Sequence, residues 1–549
     1  MSRSLNLADI QGNILSAYGH LGFPRSRYIF LHVAEETAGR DFITGLLPRI
    51  TTALRWKSSK DYPGEVIEER PMVAWNLAFT MRGLLALGLP TTTLREMPTE
   101  FIDGMAARGH ILGDQPERGK DEVQPRVPKH WDPIWQNAVG ENQVHILLSL
   151  NASFDAPEDA LDTALADVID RCAKSHAGIR VLPGNGPNGA LYQDSAALTQ
   201  PGTDGKPKGT RREHFGFADG FGDPVFKGQY PDEVIKERAI GQGKLLPDQT
   251  WAPLATGEFL LGYPDEAQET PGETYPFEFT RNGSFMAWRK LHENVGSFRH
   301  YIAGTAETYV RAAGLPETPE GLFEARQTII AKLSGRWPDD GVPLMAAPTW
   351  AAYKAFQARE KAARESGNEA EIAKIERAYN DFIYREDPSG SQCPLTSHLR
   401  RANPRDGLDP NLRSSDPKDW NGSVLNNRRR ILRRGLPYGA VDPANPDDDG
   451  EHGIIFLAVC ASLFRQFEFV QQQWIQYGLD FNAGNDTCPV GGNHGPDAKF
   501  VIPSEPGGGR PPFICAKLPQ LVEVRGGDYF FIPSLTGLRM LGMGIVDPT

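Results

Sequence analysis

The 549-residue chain predicts an α+β protein built from two like halves, and three observations carry that expectation. Apolar runs of strand length alternate with helix-periodic segments over roughly residues 1–230, which suits an α+β or α/β domain. A second series of similar order begins near residue 250, as a duplicated α+β unit would, although no residue-level repeat is visible. The 44 prolines and 57 glycines divide the chain into many short elements joined by loops.

Residues 28–34 read as a buried strand. Residues 73–88 alternate apolar side chains and then run into Leu84, Leu85 and Leu87 before Gly88, a strand turning into a short helix. Residues 143–152 give another strand, 158–173 a helix and 178–182 a further strand. A short polar linker at 231–250 follows. Residues 257–262 and 284–288 are strand candidates, with helices over 289–314 and 318–335. Residues 349–385 are strongly helical and charged on one face. Strands return at 453–459 and 527–532, with a long helix at 461–477 between them. The expected division is an N-terminal unit over 1–235 and a C-terminal unit over 236–549, the latter carrying the helical insertion near 349–385.

Composition excludes several classes. A net charge of −12 argues against nucleic acid or an anionic membrane as the main partner. No run approaches ~18 apolar residues, so no transmembrane helix is expected. The N-terminus lacks the apolar core of a signal peptide, which makes a cytoplasmic location the expectation. The five cysteines are odd in number and scattered, with no CxxC or CxxCH, so buried free thiols are expected, without a zinc knuckle or covalently attached haem.

Chemistry concentrates around Gly216-Phe217-Ala218-Asp219-Gly220, inside the longer run from Glu213 to Pro224. Glycine permits close backbone approach to a ligand, the flanking rings can make an apolar wall, and Asp219 can serve as a proton acceptor in a partly desolvated pocket. A surface turn is the competing reading, since Gly, Asp and Pro are turn residues. Two other motifs fail. The glycines of 184–189 fit GxGxxG formally, but no helix begins there to face a pyrophosphate, which weighs against a nicotinamide oxidoreductase. Asn445 to Gly450 resembles the opening of a calcium loop, yet the twelfth position is Phe456 in place of a bidentate glutamate. Further on, His398 lies in the segment Ser397 to Arg405, where an imidazole precedes several arginines, as near an anionic cofactor. The run Arg428-Arg429-Arg430-Ile431-Leu432-Arg433-Arg434 reads as three solvated arginines followed by two drawn inward by the apolar pair. Each also has a structural reading, a core histidine and a charged surface.

Taken together, GFADG, SHLRRANPRD around His398 and ILRRGLPYG around Arg433 resemble the dye-decolorising peroxidases, a haem family. LADIQGNIL at 7–15, FLLGYP at 259–264, NGSFMAWRKL at 282–291, RQFEFVQQQWI at 465–475 and VRGGDYFFIPSL at 524–535 extend the resemblance in family order over nearly the whole chain. It implies two ferredoxin-like units forming a dimeric α+β barrel-type double domain, with haem mainly in the C-terminal half. It implies one non-covalent haem b per chain, with His398 as proximal iron ligand and Asp219 and Arg433 on the distal face. Arg405, with Asn403 nearby, would pair with a propionate, while Gly220, Ile454 and Phe456 would border the cofactor. Hydrogen peroxide would be reduced to water through an oxyferryl porphyrin radical, at the expense of bulky organic donors such as phenols and anthraquinone or azo dyes. Trp474 and Tyr438 are candidate electron relays to such donors, with packed aromatics as the competing reading. One departure is Cys488 in Asn-Asp-Thr-Cys-Pro, where the family often has an acidic residue, so the group supporting His398 stays open. A haem-binding or haem-delivery protein of the same fold with little turnover is the alternative, against which the presence of both Asp219 and Arg433 argues.

Overall fold

The computed structural model describes all residues except 1–4, 57–68, 115–126, 137–138, 202–206, 219, 449, 505–508 and 546–549. Among the described residues, strands β1 (Arg25–Val33), β2 (Val73–Phe79), β3 (Ile146–Ala152), β4 (Ile179–Val181), β5 (Gln193–Ala196), β6 (Ser284–Glu293), β7 (Leu432–Tyr438), β8 (Gly453–Cys460) and β9 (Val522–Ile532) form one sheet. Its order is β7-β8-β6-β9-β2-β3-β1-β4, with β5 also paired to β1. The paired strands are antiparallel throughout. The late strand β9 sits between the halves, in register with β6 from Ser284↔Ile532 to Glu293↔Val522 and touching β2 at Phe79↔Phe531. Because β5 packs against β7, the two ends of the sheet meet and it curls into a barrel.

Side-chain alternation along the strands explains the two main cores. Tyr28, Phe30, Met286, Trp288, Leu457, Val459 and Phe530 point into the barrel, where Trp288 meets Phe30 edge-on at 5.1 Å. Ile29, Leu31, Phe285, Ala287, Ala458 and Phe531 point outwards, under the apolar faces of α1 (Glu36–Leu46) and α2 (Ala160–Lys174). In the C-terminal half α3 (Val295–Ala313) and α4 (Pro319–Ser334) share a further core through Phe298, Ile302 and Ile329. The charged stretch after residue 349 is two helices, α5 (Trp350–Glu365) and α6 (Glu369–Ala378). Gly367 interrupts it at φ 63° and the Asn368 side chain caps the second helix by accepting from Glu371 N–H. A short helix, α7 (His398–Ala402), and α8 (Leu535–Met543) complete the frame used below.

Four sequence expectations change. Residues 257–262 do not form a strand: Thr256–Glu258 is a 3₁₀ turn, and Gly262 at φ +80° redirects the buried run Phe259-Leu260-Leu261. Residues 289–293 continue β6, with the helix starting only at Val295, because the apolar alternation persists through Leu291 while Arg289 and Lys290 find buried carboxylates in Asp114 and Asp132. The helix expected over 461–477 is wound as π-helix at Leu463–Glu468 and Val470–Ile475. The 231–250 linker contains a helix at Asp232–Arg238. The glycine motif at 184–189 is a tight turn closed by the bridge Asn185↔Ala190, with strand β5 after it, so it offers no helix terminus to a dinucleotide. All five cysteines are buried and unbridged, as expected. No helix among the described residues is long and apolar enough to cross a membrane.

Candidate functional site

The glycine-bracketed loop is held from both ends. Glu213 accepts from the Phe215 and Phe217 N–H groups at 2.7 and 2.6 Å, folding the backbone round its own carboxylate. The Phe215 and Phe217 rings pack on Phe298 of α3, at 4.5 and 5.9 Å between centroids. Phe221 stacks on Tyr379 at 5.3 Å. These rings anchor the loop to the helical layer and do not wall the cleft, contrary to the sequence expectation. Gly216 and Gly220 take φ of 89° and 80°, where a side chain would be strained. Asp219 lies outside the described residues. Behind the loop, Glu293 accepts from His214 N–H, and burial together with the neighbouring Glu213 carboxylate pushes its pKa up. His214 in turn contacts the Tyr438 carbonyl at 2.9 Å, tying the loop to β7.

Strand β7 escaped sequence reading because Arg433, Arg434, Gly435 and Pro437 interrupt its apolar pattern. Among the described residues only β8 pairs with it as a ladder, matching Arg433 to Ala458 and Gly435 to Phe456. A cleft with about 1270 Å³ of empty space, part of it open to solvent, runs along this strand. Arg433, Gly220, Ile454 and Phe456 all line it, so four expected site residues from three remote segments meet there. Arg434 is clamped by Asp223 at 2.8 Å and by the Asn13 and Ile14 carbonyls at 3.0 and 2.8 Å.

His398, Asn403 and Arg405 stand on and just after α7, and they are not among the lining residues of the cleft. His398 Nδ1 lies 3.2 Å from Cys488 Sγ. Burial pushes the Cys488 thiol up, but His398 and then Arg401 more than offset this and leave it at about 7. Asn403 accepts from Asn426 at 2.9 Å. Arg405 is buried, with a left-handed backbone at φ 50°, and it donates to the Asn380 and Phe382 carbonyls at 2.7 and 2.9 Å.

The arginine run corrects another expectation, that its first three members are solvated and the last two drawn inward, since Arg433 is exposed and Arg434 only half-buried. Arg428 pairs with Asp265 and Glu269 at 2.9 and 2.8 Å, and Arg429 lies 3.9 Å over the Phe469 ring. Arg430 donates to the Gly243 carbonyl, and its pKa is pushed down by burial and then by the guanidinium groups of Arg405 and Arg433. No hydrophobic period marks such a residue, so sequence reasoning missed it. Trp474 and Tyr438 are both buried, Trp474 donating its ring N–H to Asp480 at 3.0 Å, which is the packing of core aromatics.

The donor set tests the fit to haem. Among the described residues no three His, Cys, Asp or Glu side chains could share a metal ion. A metal bound by His398 must therefore bring its other donors with it, as a porphyrin does. With Nδ1 in contact with Cys488, Nε2 is the ring nitrogen that would reach a metal. Arg405, Arg430 and Arg433 concentrate positive charge that suits the carboxylates of such a group, while Ile454 and Phe456 supply apolar wall. The residues fit.

Known proteins agree with this geometry. Residues 9–184 match the DyP dimeric alpha+beta barrel domain. The chain is 25% identical to Peroxidase 2 of Mycetinis scorodonius, over 98% of this chain and 88% of that one. It is 30% identical to the multifunctional dye peroxidase DyP2 of an Amycolatopsis species, over 60% and 61% of the two chains. The crystal structure of a fungal DyP-type peroxidase from Auricularia auricula-judae superposes with a TM-score of 0.68 at 21% identity, covering 98% of this chain and all of that one, and so shares its fold. The barrel of paired ferredoxin-like units, the domain match over residues 9–184 and the end-to-end relatives together make the chain similar to the dye-decolorising peroxidases over nearly its whole length.

Proposed function

We propose that the protein reduces hydrogen peroxide to water with one non-covalent haem b per chain and draws the electrons from bulky aromatic donors such as phenols and dyes. The observation that carries the reading is the meeting of Arg433, Gly220, Ile454 and Phe456 in one cleft. His398 holds the cofactor through Nε2. Arg405 and Arg430 face its carboxylates, with Asn403 beside them. When bound, haem supplies the redox-active iron at which the peroxide oxygen–oxygen bond breaks.

The chain's own residues then have separate tasks. Asp219 takes the proton from the inner peroxide oxygen and returns it to the outer one, so that water leaves. The Arg433 guanidinium stays charged at any working pH and stabilises the negative charge that builds on the departing oxygen. Ile454 and Phe456 keep the peroxide compartment narrow, so donors too large to enter are oxidised at the protein surface. A Soret band in the purified protein, followed by peroxide-dependent bleaching of an anthraquinone dye, tests the reading. His398→Ala is expected to lose stable haem incorporation. A wild-type Soret band and full turnover in that variant would assign the iron to another ligand.

A further inference from the structure

Cys488 is fully buried, and its sulfur lies 3.2 Å from His398 Nδ1. The Gly491 N–H donates towards the same sulfur at 3.5 Å, so the sulfur already acts as an acceptor on one side. Its position is fixed from both flanks. Cys488 N–H donates to the Ile475 carbonyl at 2.7 Å, and its own carbonyl accepts from Gly492 N–H at 3.0 Å. Arg401, buried beside it on α7, donates to the Trp474, Tyr477 and Asp486 carbonyls at 2.8, 2.9 and 2.8 Å, which clamps the helix carrying His398 to the loop carrying Cys488.

We propose that Cys488 is the positioning residue for His398: its sulfur accepts the Nδ1–H of the imidazole and keeps the Nε2 lone pair available to the cofactor iron. The inference rests on the reading of His398 as axial ligand. A histidine that binds metal is ordinarily oriented by the partner of its other ring nitrogen, and that partner also sets the basicity of the ligand. The sulfur of a protonated thiol is a weaker acceptor than a carboxylate oxygen, so with its own proton retained it fixes the tautomer while passing less negative charge to the ring. The expected result is a proximal histidine of nearly neutral character and a more positive ferric/ferrous potential than a carboxylate partner would give.

Two measurements test this, one of which needs no haem. In the haem-free protein labelled with ¹⁵N-histidine and assigned with His398→Gln, the wild-type His398 signal should report the Nδ1–H tautomer. Cys488→Ser, with an oxygen of similar size, should keep that tautomer, and Cys488→Ala should move the ring toward Nε2–H. In the haem-loaded protein, Cys488→Asp should lower the ferric/ferrous potential below wild type, and Cys488→Ala should weaken haem retention about 10–100-fold. An unchanged tautomer in Cys488→Ala overturns the proposal, as does one common potential in the wild-type, Ser and Asp proteins. If Asp at this buried position prevents folding, the Ser and Ala tautomers decide alone. Full haem retention in His398→Gln would sink the axial-ligand reading instead, and the haem-free tautomers distinguish the two failures.

Discussion

Arg433 and Arg434 leave β7 from consecutive positions, so the pleat sends them to opposite faces of the strand. Arg434 also borders the cleft, but Asp223 and two carbonyls already hold its guanidinium, so it is engaged elsewhere. Arg433→Leu is therefore expected to slow the spectral reaction with peroxide by ~10²–10³-fold. The effect should exceed that of Asp219→Asn, where a water can still relay the proton. Stopped-flow mixing of both variants gives the order, and a fast Arg433 variant beside a slow Asp219 variant would reverse it. Asp528 on β9 poses a separate question of charge. Its carboxylate accepts from the Met105 and Tyr529 N–H groups at 3.0 and 2.8 Å, yet burial dominates and raises its pKa from 3.8 to about 6. A raised folded-state pKa favours the protonated form, so this contribution is full below about 3.8 and is lost as pH rises through about 6. Asp528→Asn should therefore flatten the pH dependence of stability in that window, as denaturant midpoints measured across it will report. Parallel curves for the two proteins would rule out this role.

Elements differ in how openly their sequence declares them. The runs ending in β1, β3 and β8 are nearly continuous apolar stretches buried on both faces, and they read as strands at once. Strand β7 does not, since its two arginines, glycine and proline are tolerated only at the end of the ladder. Gly435 shows why that composition is required. It sits at φ +121°, and a Cβ there would lie 1.8 Å from the Ile455 carbonyl oxygen. Gly435→Ala should cost at least about 1–3 kcal/mol in backbone strain alone, read as a lowered denaturant midpoint together with weakened haem binding. The π-helical segment rests on a different device. Glu468 is buried and accepts from two of the three Arg108 nitrogens, at 2.5 and 2.7 Å, as well as from the Tyr529 hydroxyl at 2.8 Å. Arg108→Ala strands that carboxylate and should cost about 3–5 kcal/mol. Adding Glu468→Gln should recover a large part of the loss in a double-mutant cycle. These partners lie 360 residues apart in the chain, and local pattern could not have joined them.

At the scale of the whole molecule, motif order pointed to the family the chain resembles, while periodicity identified the main strands and helices. Three short motifs, around GFADG, His398 and Arg433, pointed to the candidate site, and the structure brings Gly220 and Arg433 of these to one cleft. Arg430, which has no motif, was missed, whereas Cys488 was marked only as a departure from the family pattern, and its closeness to His398, 90 residues away in the chain, is visible in the fold alone. The place of β9 in the sheet has one more consequence, and it concerns the order of events during synthesis. The strand that must lie beside β6 begins at Val522, whereas β6 ends at Glu293. Until more than two hundred further residues have been made, β6 can pair only with β8, and β2 has no partner on its outer side. Two half-sheets thus wait with open edges, the condition in which strands join the wrong chain. Contacts of such long sequence separation also form slowly. Closure of the barrel is consequently a late, whole-chain event, and a ribosome stalled before β9 should leave nascent chains that bind chaperones and fail to retain haem.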